Sequence, residues 1–194
     1  MKIIVAPNSP RNQARAEHSP SDEVETWCED EARFDLQPVL RRVWDPKGER
    51  PLASVAPDYE WLWMYAAAHP ATGESFWLSL PRLDTEMVQL LLNEFAEQHA
   101  PEGKQIILCW DGAPAHRARS LRVPERLTLV SLPPYTLELN PAENLWPLVK
   151  EGVANESFKG LGALEKRVCR RVRTISDDRE LISSRLSYHW WPND

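Results

Sequence analysis

Cysteine is scarce in this chain: among 194 residues only Cys28, Cys109 and Cys169 occur. None falls in a CxxC pair and the number is odd, so neither a disulfide framework nor a zinc knuckle is indicated. Free thiols suit a reducing cytosol. No apolar run approaches the ~18 residues of a membrane span. The opening Met1–Ala6 stretch is too short for a signal-peptide core, and Pro7 and Pro10 follow it closely. These absences exclude a membrane partner and place the protein in the cytoplasm. A basic excess is missing too. The net charge is −6, whereas a general nucleic-acid binder carries a basic face. Internal repeats and long low-complexity tracts are also lacking.

What is present describes a globular domain. Apolar residues make up 42% and charged residues 27% of the chain, enough for one domain with a sizeable core and too little for two ordinary ones. Nine tryptophans point to a core built on large rings. Residues 1–21 are polar and broken by Pro7, Pro10 and Pro20, which reads as a loose leader. Residues 22–194 form the domain.

The stretch from Gln105 to His116 organises the rest. Ile106 to Trp110 is an unbroken apolar run that ends in Asp111, with Gly112 and Pro114 just after it. Such a run reads as a central strand covered on both faces. An acid at its carboxyl end sits at the rim where open α/β sheets keep their chemistry. Val24 to Glu31 alternates like a half-buried strand, with Val24, Thr26, Cys28 and Asp30 on one face and Glu25, Trp27, Glu29 and Glu31 on the other. Both strands place a Cys two residues before an Asp near the strand end. Paired in parallel, they bring Asp30 and Asp111 about 5 Å apart.

The remaining elements follow in order. Leu36–Trp44 is a connector closed by a turn at Asp45–Gly48. Strands are expected at Glu60–Ala67 and Ser75–Leu80, joined by a turn at Pro70–Gly73, so the first three strands form an antiparallel meander. Asp84 caps a helix reaching His99, with Met87, Leu91 and Phe95 on one face. A short helix from Ala115 to Leu121 and a last strand at Leu127–Leu132 come next. Asn140 then caps a helix to about Asn155, with Pro141 at its first position and Glu143 three residues after the cap. A final helix near Gly162–Arg173 buries Leu164, Val168 and Val172 and presents Lys166, Arg167, Arg170, Arg171 and Arg173 elsewhere, a solvated face that can also meet a DNA backbone.

Asp30, Asp111 and Glu143 are the candidate site. Each has an ordinary reading as well. A strand-end Asp before Gly serves as a turn residue, Asp30 lies in a charge run that suggests solvent, and Asn140-x-x-Glu143 has capping-box spacing. Their convergence carries the signal. Three ionised carboxylates about 4 Å apart repel by roughly 12 kcal/mol at an effective dielectric of 20, so the site needs divalent cations or protons. Hard oxygen ligands suit Mg²⁺ or Mn²⁺. Two such ions can activate an attacking oxygen and steady a leaving one at phosphorus. His116 reads either as a contact to substrate or metal-bound water or as a local hydrogen-bonding residue, and Trp146 as packing one turn behind Glu143.

Asp111-Gly-Ala-Pro-Ala-His116, Leu132-Pro-Pro-Tyr135 and Glu138-Leu-Asn-Pro-Ala-Glu-Asn-Leu-Trp146 closely resemble the catalytic signature of mariner-type DDE transposases, in particular the bacterial insertion-sequence branch. Asp30–Phe34, Val43–Pro51 and His189–Pro192 add to the resemblance, which runs from about Val24 to the end. It implies a ribonuclease-H-like α/β fold, a mixed five-stranded sheet with three antiparallel strands plus two parallel, flanked by helices. It implies Asp30, Asp111 and Glu143 as catalytic, metal-binding triad for two Mg²⁺ or Mn²⁺ ions. The activity implied is cleavage of DNA at transposon ends and transfer of the 3′-hydroxyl strand into target DNA, in the nucleoid-associated cytoplasm. Alternatives are a stand-alone nuclease of the same fold and an inactive remnant that only binds or oligomerises. Gly112 stands where the family usually has Asn, and Thr136-Leu137 where it has Ser-Pro. The residues before Asp30 are too few for the family's helix-turn-helix module, so a separate DNA-binding module or reading-frame product is expected as partner, with homodimerisation a further expectation.

Overall fold

The computed structural model describes residues 23–42, 44, 47, 59–134 and 136–192. The leader 1–21 and most of the 45–48 turn lie outside them.

Among the described residues five strands and four α-helices occur, in the expected order up to the last helix. β1 is Glu23–Asp35, β2 Trp61–His69, β3 Glu74–Leu80, α1 Thr85–His99, β4 Lys104–Trp110, β5 Leu127–Ser131, α2 Leu145–Glu151, α3 Leu161–Ser176 and α4 Arg179–Leu186. They form one sheet in the order β3-β2-β1-β4-β5. β1–β2 and β2–β3 pair antiparallel, while β1–β4 and β4–β5 pair parallel. The meander is thus the antiparallel half of a mixed sheet. Gly73 makes the turn from β2 to β3 possible, since its φ of 68° is a left-handed conformation, and a Cβ there would run into the Arg179 carbonyl.

Alternation along the strands divides the interior into two layers. Trp27, Tyr65, Phe76, Leu78, Ile106, Leu108 and Trp110 face α1. Cys28, Ala32, Phe34, Met64, Trp77 and Cys109 face α2, α3 and α4. Asp84 caps α1 as expected, its Oδ1 accepting from Met87 N at 3.0 Å. Met87, Val88, Leu91, Leu92 and Phe95 are buried against the sheet, each stabilising the fold by roughly 1.5–3 kcal/mol before ordering entropy is subtracted. Cys28 and Cys109 sit side by side as buried core residues. Among the tryptophans Trp27, Trp77, Trp110, Trp146 and Trp191 are core, but Trp44, Trp61 and Trp190 are exposed. Among the described residues no helix is long and apolar enough to cross a membrane.

Several boundaries differ from expectation for local reasons. The helix expected at Ala115–Leu121 is a single 3₁₀ turn, Pro114–Arg117, after which Ala118 turns extended at φ −67° and ψ 127°. The helix after Asn140 opens as a 3₁₀ turn, Pro141–Asn144, and is α-helical only over Leu145–Glu151. Pro147 lacks an N–H and fits only a first helical turn, which fixes the start, and Gly152 follows the end. α3 runs to Ser176, and α4, short and polar, was not foreseen. Of the basic residues of α3, Arg167 pairs with Glu156 at 2.6 Å and Arg171 donates to the Leu148 carbonyl at 2.9 Å, so the face is partly engaged within the fold.

Candidate active site

The parallel ladder between β1 and β4 sets the site. Its register runs from Glu23↔Lys104 to Cys28↔Cys109. Continued two residues past the ladder, this register leads to Asp30 on β1 and to Asp111 just beyond the end of β4. Asp30 is not at a strand tip. β1 continues to Asp35 because its second half pairs with β2, with Asp30 opposite Ala66. The end that matters is that of β4, which stops at Trp110 before Gly112 and Pro114. Asp30 is therefore mid-strand toward β2 and at the open end of the ladder toward β4.

Asp111 is held by the turn that follows it. Its Oδ1 accepts from Ala113 N at 2.8 Å, a side-chain turn typical of Asp. The same oxygen lies 2.9 Å from His116 Nδ1, and that ring nitrogen is also 3.2 Å from the Asp111 carbonyl. The ring of His116 stacks on Trp110 at 4.3 Å between centroids and 4° between planes. His116 is thus a local hydrogen-bonding residue that orients Asp111. Burial holds its imidazole below the usual range, opposed by the Asp111 contacts.

Glu143 arrives on the 3₁₀ turn Pro141–Asn144. Asn140 Oδ1 accepts from Ala142 N at 3.2 Å, one residue short of the Glu143 N–H that a capping box uses. The Asn140 amide also donates to the Glu29 carbonyl at 2.9 Å, stitching the turn to the middle of β1. One turn on, Trp146 Nε1 donates to Asp30 Oδ2 at 2.6 Å. The ring packs edge-on to Phe34 and Trp77. Trp146 is more than packing: it fixes the first acid. Its Asn-Pro-x-x-x-x-Trp spacing from the cap was the available signal.

The charge run Glu29–Asp30–Glu31 is buried rather than solvated. Asp30 lies in the α2–α4 layer, and Glu29 and Glu31 point to the α1 side with Trp27. Burial pushes the Asp30 carboxyl up to about 7; the Trp146 bond opposes this, and the charges of Glu143 and Asp111 add to it. Glu31 is pushed up to about 8 by burial and then by Asp111, Asp30 and Glu143. Glu29 is held well above the carboxylate range by burial, with Glu31, Asp30 and Asp111 adding. Asp30 thus feels the charges of both Glu143 and Asp111. Beside them runs an open groove of about 490 Å³, lined among others by Asp111, Gly112, Arg117, Pro133 and Asn140. A Cβ at Gly112 would meet the Arg117 guanidinium, so Arg117 fills the space that the usual Asn would occupy.

A mixed five-stranded sheet with an acid beyond its central parallel strand and helices on both faces is the ribonuclease-H-like fold of the Mos1 mariner transposase. The chain belongs to the DDE superfamily endonucleases, whose family model matches residues 25–165. A protein of Sinorhizobium fredii (strain NBRC 101917 / NGR234), the uncharacterised y4pE/y4sA, is 34% identical over 118 residues, 60% of this chain and 87% of that protein. The fold is similar to the Mos1 mariner paired end complex with Mn, with TM-score 0.57, 14% identity and coverage of 84% of this chain and 56% of that one. It is also similar to the Mos1 strand transfer complex, with TM-score 0.54, 14% identity and coverage of 84% and 55%. The chain spans a little over half the length of these Mos1 chains.

Proposed function

We propose that this chain is the catalytic domain of a DDE transposase, with Asp30, Asp111 and Glu143 as the ligands of two Mg²⁺ or Mn²⁺ ions. The observation that supports the reading is the Cys28↔Cys109 register, with Asp30 and Asp111 each two residues further along, while the Asn140 and Trp146 bonds tie the turn carrying Glu143 to β1. The donor set fits the ions. Carboxylate oxygens are hard ligands, and the Asp30 carboxyl, raised first by burial and further by Glu143 and Asp111, would gain from a countercharge. Bound there, the ions would supply Lewis-acid activation of an attacking oxygen and stabilisation of a leaving one at phosphorus.

The chain's own residues prepare the ground. Trp146 and the sheet fix Asp30. Ala113 and His116 hold one oxygen of Asp111, leaving the other for an ion. The groove beside Asp111 receives the DNA strand, and Arg117 is placed on its wall to meet a phosphate. The substrates are a transposon end and then target DNA, with the 3′-hydroxyl of the first attacking the second. Mos1 in complex with Mn and in a strand transfer complex supports this order of events. Recognition of the ends falls to a separate helix-turn-helix module or reading-frame product, and residues 22–194 act as the catalytic unit, in a homodimer that pairs two ends in the nucleoid.

The test is incubation of the protein with DNA bearing the element's terminal repeats and Mn²⁺ or Mg²⁺. Metal-dependent nicks at the repeat ends and strand-transfer products are expected. Equal cleavage by wild type and Asp111→Asn would overturn the assignment; hydrolysis with no joined product would reduce the protein to a nuclease.

A further inference from the structure

On the face of β1 opposite Asp30, three groups converge, none of them a proposed ligand of the catalytic ions. Glu29, Glu31 and His116 each bring one ligand-type atom within 4.8 Å of the others. The site is sealed: Glu29 is 0% and His116 6% exposed. Both Glu29 carboxylate oxygens, Glu31 Oε2 and His116 Nε2 are buried without a hydrogen-bond partner among the described residues. Leaving such groups unpaired costs about 1–3 kcal/mol each, and more for charged ones.

The geometry explains what they await. His116 Nδ1 faces two acceptors, the carboxylate and the carbonyl of Asp111, so the ring proton resides there. Nε2 of a neutral ring then offers a lone pair. It faces Glu31 Oε2 at 3.8 Å, too far for a hydrogen bond. The distance suits two ligands of one ion with bonds of about 2.0–2.2 Å. Glu29 is aimed into the same gap from the neighbouring position on the β1 face. We propose that Glu29, Glu31 and His116 bind a structural divalent cation, Zn²⁺ in preference to Mg²⁺, separate from the catalytic ions. An imidazole nitrogen with carboxylate oxygens is a zinc-type donor set, whereas Mg²⁺ selects oxygen alone. The ion neutralises the buried acids and, through His116, fixes Asp111 from behind. This site stands whether or not the domain transposes DNA.

The experiment uses the full chain carrying Asp30→Asn and Glu143→Gln, which removes two proposed catalytic ligands and spares the cluster. After dialysis against EDTA and addition of Zn²⁺, elemental analysis is expected to find one tightly held ion per chain. Adding Glu29→Gln is expected to weaken retention by at least about 10-fold. Zinc-edge X-ray absorption on the protein with Glu29 intact provides a second reading that does not depend on how that variant folds. A shell of one imidazole and carboxylate oxygens supports the site; an all-oxygen shell overturns it. Retention unchanged by Glu29→Gln, or no ion retained, equally overturns it.

Discussion

The two faces of β1 treat neighbouring acids differently. On one face Asp30 has a partner, the Trp146 indole at 2.6 Å, and lies beside the open end of the β1–β4 ladder and its groove. On the other, Glu29 is sealed with no partner for either oxygen among the described residues. A buried acid held by one hydrogen bond at the open end of the ladder is suited to reversible ion and substrate chemistry. Acids closed into a layer with an imidazole are suited to an ion that stays. One strand with period-two alternation can thus serve two cation sites without mixing their ligands.

The largest effect should come from the open face. Asp30→Asn and Asp111→Asn are each expected to lower metal-dependent cleavage of terminal-repeat DNA by at least about 100-fold, more than the loss of an outer-shell partner. Comparable cleavage rates in a gel assay would erase the distinction between the faces. Trp146→Phe keeps the ring's packing and removes only the bond to Asp30. Cleavage is expected to fall about 10–100-fold, with an apparent Mn²⁺ affinity weakened in titration; unchanged values would make Trp146 mere packing.

A smaller effect concerns the stitch between the faces. Asn140→Ala removes both the turn cap and the bond to the Glu29 carbonyl, and is expected to cost about 1–3 kcal/mol in denaturant unfolding. In a domain of this size that is roughly 2–4 °C per kcal/mol in Tm.

The pH dependence is shared by both faces. Without cations, the folded chain keeps protons on Asp30 up to about 7 and on Glu31 up to about 8, whereas the unfolded chain releases them near pH 4. The folded state binds more protons across that window, so its stability falls as pH rises from about 4 to about 8. Thermal melts of EDTA-treated protein should show Tm dropping over this range, and divalent cations restoring it most at the upper end. A Tm that rises with pH would show the acids already paired.

Much of the fold was legible because periodicity was strong where it mattered. Ile106–Trp110 could only be a central strand, and the shared Cys-x-Asp pattern of the two strands gave their register. Asp30 was misplaced at a strand tip because the continuation of β1 through Ala32 and Phe34 depends on its pairing with β2, a non-local contact. The burial of Glu29 and Glu31 was hidden for the same reason: a run of three acids reads as solvent until a helix layer and His116 close over it. The Trp146–Asp30 bond joins residues 116 positions apart, beyond what local spacing can show. α4 is polar and short, and its cap, Asp178 accepting from Leu181 N at 2.9 Å, is an ordinary one easily overlooked.

Anomalous diffraction from crystals of the domain grown with Mn²⁺ tests the triad most directly. Peaks within about 2.1–2.2 Å of carboxylate oxygens of Asp30, Asp111 and Glu143 are expected. Manganese confined to the Glu29–Glu31–His116 side of β1, with none touching Glu143, would contradict it.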